Sequence, residues 1–350
     1  MSKPYWMIYG ANGYTGRLVA EEARRQGLSP LLGGRDPAAV QALGSVLGLE
    51  CRVFGAEGAG AALTDVAVLA NCAGPFSATA APLLEACLAN ATHYVDITGE
   101  IGVFEHAHGL DERARAAGCV VCPGVGFDVI PTDCVAACLA EALPDATQLA
   151  LGFDTGSGLS PGTAATTVEG LKLGGKVRRD GRLVEVPLGY KRRDIDFGRG
   201  LRHAVSIPWG DVATAFYSTG IPNIEVYLPA PPLAALGMRL IDPLRPLLGR
   251  DGVQHWLKRQ VQQRVKGPDE QARSRLRTWV WGEVRNGRGE RRTARLETAN
   301  AYDVTVHGVL LAVRHLLGHD GPGGYFTPSQ LFGPRCVEAL PGSGRIVIRG

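Results

Sequence analysis

The amino-acid sequence predicts an α/β protein, in which a doubly wound parallel sheet is joined to a second, α+β domain containing an antiparallel sheet. Three observations carry this. Gly10, Gly13 and Gly16 fall between an apolar run, Tyr5 to Tyr9, and a run of helix formers, Leu18 to Arg25, which is the order strand, turn, helix. The first 125 residues then keep alternating apolar β-like runs with helical stretches, the pattern of a parallel sheet covered by helices. From Thr147 onward the pattern changes to hairpins.

A chain of 350 residues accommodates two domains, since one domain commonly takes roughly 100–200 residues. The first is expected over residues 1–145, completed by 300–350 packing back onto it, and the second over 146–299. Strands are predicted at Trp6–Tyr9, Pro30–Gly33, Cys51–Phe54, Val66–Asn71, Tyr94–Ile97 and Cys119–Cys122. Helices are predicted at Thr15–Gln26, Pro37–Leu47, Ala78–Ala89, Gly102–Ala117 and Thr132–Leu143. In the second domain, VRRDGRLVEV predicts a hairpin turning at Asp180-Gly181, and WVWGEVRNGRGERRTARLET one turning at Asn286-Gly287. The helical period returns from Tyr302 to Leu317.

Net charge is +3 with both signs spread along the chain, which argues against a dedicated nucleic-acid binder or an acidic tail. Met1-Ser2-Lys3-Pro4 leads directly into the first strand and leaves no room for a secretory signal. No apolar run approaches the ~20 residues of a membrane span. A soluble, cytoplasmic protein is the expectation. The eight cysteines lie mostly inside apolar segments and read as reduced, buried thiols. Cys119 and Cys122 form a C-x-x-C, but their spacing puts them on opposite faces of a strand, and no second ligand pair accompanies them. Histidines form no metal constellation, so no metal is expected.

The turn Gly10-Ala11-Asn12-Gly13-Tyr14-Thr15-Gly16 is placed where small residues let a pyrophosphate approach the backbone and where helix-start amides hold it. Gly10, Asn12, Gly13, Tyr14, Thr15 and Gly16 are therefore expected to bind a dinucleotide. At the end of the second strand an acid favours NAD and an Arg accommodates the extra phosphate of NADP. Here LLGGRD supplies Arg35, which points to NADP(H); the plainer reading is that Arg35 only faces water beside Asp36. The fourth strand ends NCAGPF, and Asn71, Ala73, Gly74, Pro75 and Phe76 there are expected to let the nicotinamide ribose approach, unless this is an ordinary strand-to-helix turn.

YGANGYTGRLVAE, NCAGPF, HYVDITGE and GVGFDVIPTD resemble the saccharopine dehydrogenase-like family, in particular its branch that includes the trans-acting enoyl reductases. SPGTAATTVEGL, IPWGDVATAFYSTGIPNIEVY, AYDVT and GGYFTPSQLFG resemble the same branch. The likeness covers nearly the whole chain; it is most specific in the cofactor domain and least so over residues 229–275. It implies a Rossmann domain that binds NADP(H), interrupted in sequence by a catalytic domain, and hydride-transfer chemistry. The resemblance leaves the substrate open. Saccharopine enzymes handle an amino-diacid through an imine, and the trans-acting reductases handle the double bond of a polyketide-derived chain.

Hydride delivery needs a proton source besides the cofactor. Tyr94, Asp96 and Glu100 follow the fifth strand, and Asp128 and Asp133 surround the sixth. A carboxyl serves as general acid only if burial raises its pKa towards neutrality. Asp133, two residues after Pro131, reads first as a helix cap. Ser160-Pro161-Gly162-Thr163 reads as a capped helix start, and Trp209, Asp211 and Tyr217 as aromatic and acidic groups that either line a pocket or belong to a core. Asp96, Asp128 and Tyr217 are the candidate catalytic residues.

The leading expectation is an NADP(H)-dependent oxidoreductase that reduces an enoyl C=C bond of an apolar or carrier-bound substrate. An imine or amino-acid dehydrogenase of saccharopine type is one alternative, and a non-catalytic NADPH-binding sensor or scaffold another. The cationic stretch 172–202 reads as a solvated hairpin face or as a dock for an acidic carrier protein. The Leu- and Pro-rich segment over 229–265 reads as a helical hairpin on its own domain, a lid over an acyl chain or a membrane-surface contact. A homodimer is the expected assembly.

Overall fold

The computed structural model describes residues 3–155, 170, 174–248, 250, 252–254, 256, 259, 260 and 270–350. The chain divides into two compact units, residues 1–130 with 302–332 and residues 131–301 with 333–350.

In the first unit β1 (Tyr5–Tyr9), α1 (Tyr14–Arg25), β2 (Leu31–Gly34), α2 (Pro37–Leu47), β3 (Cys51–Val53), α3 (Ala59–Ala62) and β4 (Val66–Asn71) form one half of the fold. The other half is α4 (Phe76–Ala89), β5 (His93–Asp96), α5 (Ile101–His108), α6 (Asp111–Ala117) and β6 (Val120–Cys122). A short β15 (Gly324–Tyr325) adds the seventh strand, and the sheet runs β15-β6-β5-β4-β1-β2-β3 with every pairing parallel. The central strands are apolar along their length because helices cover both faces. In β1 and β4 nearly every side chain is buried, and Met7 pairs with Leu69. The chain reverses direction across the sheet between β1 and β4, which opens a crevice at their carboxyl ends. The helix Ala301–Leu317 returns to this unit, and its Thr305 hydroxyl accepts the amide of Phe127 at 3.0 Å.

The second unit contains α7 (Ile130–Ala142) from Pro131 onward, followed by β7 (Ala146–Thr155), β8 (Gly175–Arg179), β9 (Arg182–Val186), β10 (Arg192–Asp196) and β11 (Leu201–Ile207). Then come the helix Asp211–Thr219, β12 (Asn223–Pro229), β13 (Arg277–Asn286), β14 (Arg291–Ala299) and β16 (Val347–Arg349). The main path of the sheet is β10-β11-β12-β7-β13-β14-β16, with β8 and β9 joined to it through β12. It is mixed rather than antiparallel, because β12 lies parallel to β7 while its other pairings are antiparallel. A Cβ on Gly282 would stand 2.6 Å from Val135 and 2.7 Å from Leu139, so α7 lies hard against one face of β13. Residues 131–145 group with this unit for that reason, and 333–350 because β16 pairs with β14.

Other boundaries differ from expectation for local reasons. The predicted helix Gly102–Ala117 is two, since the chain breaks at Gly109-Leu110 before restarting at Asp111. Glycine is a poor interior residue, and two acids at the new start suit the positive helix end. Asp180 and Gly181 turn the first hairpin, both with positive φ (+48° and +75°), as a two-residue turn requires. The second hairpin does not turn on Asn286-Gly287. Asn286 closes β13, its Oδ1 accepts the amides of Arg288 and Glu290 at 3.1 and 2.9 Å, and the left-handed residue is Gly289. An Asn side chain that bonds two residues ahead has displaced the dipeptide turn. In the 229–265 segment, Leu233, Leu240 and Ile241 of the helix Pro232–Ile241 are exposed, as are Leu247 and Trp256 beyond it.

Candidate dinucleotide site

The glycine turn is built by close approach. Gly10 has φ +78°, and a Cβ there would stand 2.7 Å from the Cβ of Ala73 in the turn after β4. The amides of Gly10 and Ala11 donate to the carbonyl of Gly33 at 2.9 and 3.1 Å, which ties the turn to β2. A Cβ on Gly16 would overlap the Gly10 carbonyl oxygen and stand 3.0 Å from the Ala11 Cα, so α1 sits directly on the turn. Gly13 precedes α1 and gives it no side-chain cap, and its first turn, with Tyr14 and Thr15, contains no acid. The positive end of the helix is therefore left for an anion.

The helices after β2 and β4 differ. Asp36 caps α2, its Oδ1 accepting the amide of Ala39 at 3.1 Å. Glu100 reaches across to α4 and accepts the amides of Phe76 and Ser77, each at 2.8 Å. With Asp36 engaged as a cap, the exposed Arg35 is the charged residue that the end of β2 presents. Burial raises the pKa of Tyr9, and the charge of neighbouring Arg35 opposes the rise. The Asn12 Oδ1 would stand 3.1 Å from a Cβ on Gly34, so Asn12 and Arg35 share this corner.

Beneath the turn after β4 runs a buried polar chain. Asn71 donates from Nδ2 to the Tyr94 hydroxyl at 3.1 Å and to Thr79 Oγ1 at 3.2 Å, and its Oδ1 accepts the amide of Ala73 at 3.0 Å. Thr79 in turn donates to the Ala73 carbonyl at 2.7 Å. Asn71 thus shapes the Ala73-Gly74-Pro75-Phe76 turn from below. The Tyr94 hydroxyl donates to Asp96 Oδ2 at 2.8 Å, and Asp96 Oδ1 accepts the amides of Thr98 and Gly124 at 3.0 and 2.9 Å. Burial pushes the Asp96 carboxyl up to about 6, against these three hydrogen bonds, which pull it down. Asp96 ties β5 to the loop after β6.

Asp128 lies in that loop, half-buried, and its Oδ2 would stand 2.9 Å from a Cβ on Gly99. Burial pushes its carboxyl up to about 7, the range a general acid needs. Asp133 does not cap α7: the helix starts at Ile130, and Asp133, inside it, accepts the Ser218 hydroxyl of the helix Asp211–Thr219. Tyr217 belongs to the second unit, on that same helix, with the Arg178 guanidinium 5.6 Å from its ring centroid. The Trp209 ring packs 4.8 Å from that of Phe153, tilted by 51°, and Asp211 is buried in the first turn of the helix. Ser160-Pro161-Gly162-Thr163 lie outside the described residues. Thr79, which bonds Asn71 and the Ala73 carbonyl, is a member of the network that the sequence motifs did not point to, and Gly124, the first residue of GVGFDVIPTD, meets Asp96 from 28 residues away.

Among known proteins, a saccharopine dehydrogenase-like oxidoreductase of Mus musculus is 29% identical over 150 residues, 36% of this chain and 35% of that protein. The Homo sapiens protein of that name is equally similar. Over that stretch the chain is similar to the saccharopine dehydrogenase-like oxidoreductases. A Mycobacterium tuberculosis protein named as a trans-acting enoyl reductase is 29% identical over 182 residues, 47% of this chain and 43% of that one. The matched stretches thus span well under half the length of these relatives. No protein-family profile matches the chain. The fold extends further than the sequence similarity: saccharopine dehydrogenase (L-Glu forming) of Saccharomyces cerevisiae superposes with a TM-score of 0.66 over 99% of both chains at 11% identity. The chain therefore has a parallel-sheet α/β unit and a mixed-sheet unit, the architecture of that enzyme. Among the described residues no helix is long and apolar enough to cross a membrane.

Proposed function

We propose that the protein is an NADP(H)-dependent oxidoreductase that reduces the C=C bond of an enoyl group on an apolar or carrier-bound substrate. The observation that carries the cofactor choice is the division of labour at the end of β2. Asp36 is engaged with the Ala39 amide, and Arg35 stands exposed beside Asn12 and the glycine turn, where a 2′-phosphate arrives in this fold. The first turn of α1 holds the pyrophosphate, with Gly10 and Gly16 keeping the backbone close. When bound, the cofactor supplies the hydride. Asp128 holds the proton that completes the reduction, its carboxyl raised to about 7 by burial. Asp96 keeps the loop of Asp128 in place through the Gly124 amide. The enoyl substrate follows the Mycobacterium tuberculosis relative.

The test is titration of NADPH and NADH by fluorescence on the wild-type chain and on Arg35→Asp. A charge-assisted contact is worth ~1.5–3 kcal/mol, so NADPH binding falls by roughly 10- to 100-fold while NADH binding changes little. Equal losses for both sink the 2′-phosphate contact. NADPH oxidation is then followed with enoyl thioesters, with α-keto acids plus amines, and with aldehydes. Turnover confined to the keto acid and amine mixture replaces the enoyl reading by the imine one, and tight binding without turnover on any class replaces it by a sensor.

A further inference from the structure

The strands of the second unit carry a charge that the whole chain does not. Between Gly174 and His203 nine Lys and Arg stand against four Asp and Glu, and between Arg277 and Ala299 six against three, in a chain of net charge +3. Contacts gather Arg193, Arg285 and Arg291 from these strands on one sheet face, opposite the face that α7 covers. Glu283 on β13 is 3% exposed, yet three guanidinium groups converge on its carboxylate: Arg193 from β10 at 3.0 Å, Arg285 at 3.0 Å and Arg291 from β14 at 2.7 Å. Burial alone would raise this carboxyl; the arginines hold it below its ordinary value. One negative charge offsets one of three positive ones. The arginine side chains are 28%, 49% and 54% exposed, so their remaining N–H donors reach solvent.

Aromatic rings lie under one of these cations, Arg193, and under Arg199. The Arg193 guanidinium stands 4.8 Å from the Trp281 ring and 5.7 Å from Tyr227, and Arg199 stands 4.1 Å from Trp279. These rings, with Ile195, Phe197 and Ala204, form one apolar cluster. Stacked arginines are held in place before any partner arrives, which lowers the cost of binding, and Trp, Tyr and Arg are the residue types that dominate protein interfaces.

We propose that this face of the second sheet docks an acidic protein segment, whose carboxylates bind across Arg193, Arg285 and Arg291 beside the Trp279 ring. Charge complementarity selects that occupant. A second copy of the same face would bring like charge against like, and a neutral apolar partner would leave the guanidinium groups unpaired. The inference stands on the second unit alone and is independent of the cofactor and reaction proposed above.

Fluorescein-labelled poly-L-glutamate is titrated with the full chain by anisotropy over a range of salt. Wild type binds saturably and more weakly as salt rises. Arg285→Gln/Arg291→Gln, which leaves Arg193 on Glu283, weakens binding about tenfold or more, and Arg199→Gln/Arg202→Gln, which leaves the Glu283 cluster intact, weakens it by a smaller factor. Arg24→Gln/Arg345→Gln, with the same charge change elsewhere, stays within about twofold of wild type. Equal loss in all three variants reduces the effect to diffuse attraction and overturns the proposal, as does the absence of binding. A wild-type dimer in sedimentation equilibrium that Arg285→Gln/Arg291→Gln splits into monomers also overturns it, by giving the face to a second copy.

Discussion

Glu100 grips Phe76: the amide of Phe76 donates to Glu100 Oε1 at 2.8 Å, and the next amide, of Ser77, donates to Oε2 at the same distance. A carboxylate thus occupies the start of the helix that succeeds β4, next to the turn expected to approach the nicotinamide ribose. The start of α1, across the contact of Gly10 with Ala73, has no such cap. The crevice is polarised by this difference. An anion is drawn to the first helix and kept from the fourth, which fixes the direction in which a dinucleotide would lie.

Glu100 is therefore a structural anion rather than an available acid. Replacing it by Ala leaves two amides of α4 without their acceptor, at a cost of about 1–2 kcal/mol, and Glu100→Gln recovers part of that because an acceptor oxygen remains. Urea unfolding of the three proteins measures it. An unchanged midpoint in Glu100→Ala would show that water caps α4 equally well.

The buried chain from Asn71 to Asp96 makes Tyr94→Phe costly. The Tyr94 hydroxyl is both the acceptor of Asn71 Nδ2 and a donor to Asp96 Oδ2, so its loss strands one donor and one acceptor in a dry site. At ~1–3 kcal/mol for each of the two buried unsatisfied groups, the variant loses about 2–6 kcal/mol of stability. A loss below about 0.5 kcal/mol in denaturant unfolding would mean that the network reforms without the hydroxyl.

What the sequence revealed and what it hid divide along the range of the interactions. The strand, glycine turn and helix at Gly10 to Gly16 and the Asp36-Pro37 helix start are local, and each is legible because its chemistry lies within a few residues. The hairpin at Asp180-Gly181 is legible for the same reason. Glu100 as the cap of α4 is not, since its partners lie 24 and 23 residues earlier. Asp133 looked like a cap because it comes after Pro131, but the Gly126 carbonyl already accepts the Ile130 amide and starts the helix early. Asn286-Gly287 misled because the dipeptide rule treats Asn as backbone alone, whereas here its side chain organises the loop.

Asp128 gives the molecule a pH dependence with a definite sign. Its carboxyl titrates near 7 in the folded chain against 3.8 ordinarily, so between about 4 and 7 the folded state keeps a proton that the unfolded chain has released. Stability from this group is full below pH ~4 and is lost as pH rises through ~7. Asp96, raised to about 6, adds the same sign. Asp128→Asn cannot ionise, and it gains on wild type between pH 5 and pH 8. Parallel stability curves for the two proteins over that range would refute a raised Asp128. The same substitution lowers reductase turnover by ~10²–10⁴ if the carboxyl supplies the proton.

Gly10 and Gly13 separate folding from binding. At Gly10 a Cβ would stand 2.7 Å from Ala73 and the backbone has φ +78°, so Gly10→Ala suffers both overlap and a left-handed alanine. The left-handed conformation costs ~1–2 kcal/mol and overpacking ~1–3, which puts the variant about 2–5 kcal/mol below wild type. Gly13 has φ −71°, and a Cβ there would stand 3.2 Å from only one atom, the Gly10 carbonyl oxygen. Gly13→Ala should therefore keep wild-type stability to within about 0.5 kcal/mol, as a small adjustment suffices. Its methyl group instead covers the backbone over which the pyrophosphate passes, and dinucleotide affinity drops about tenfold or more. Thermal unfolding and cofactor titration on the two variants read these effects independently. A stable Gly13→Ala protein that binds the dinucleotide as tightly as wild type would move the pyrophosphate away from the start of α1.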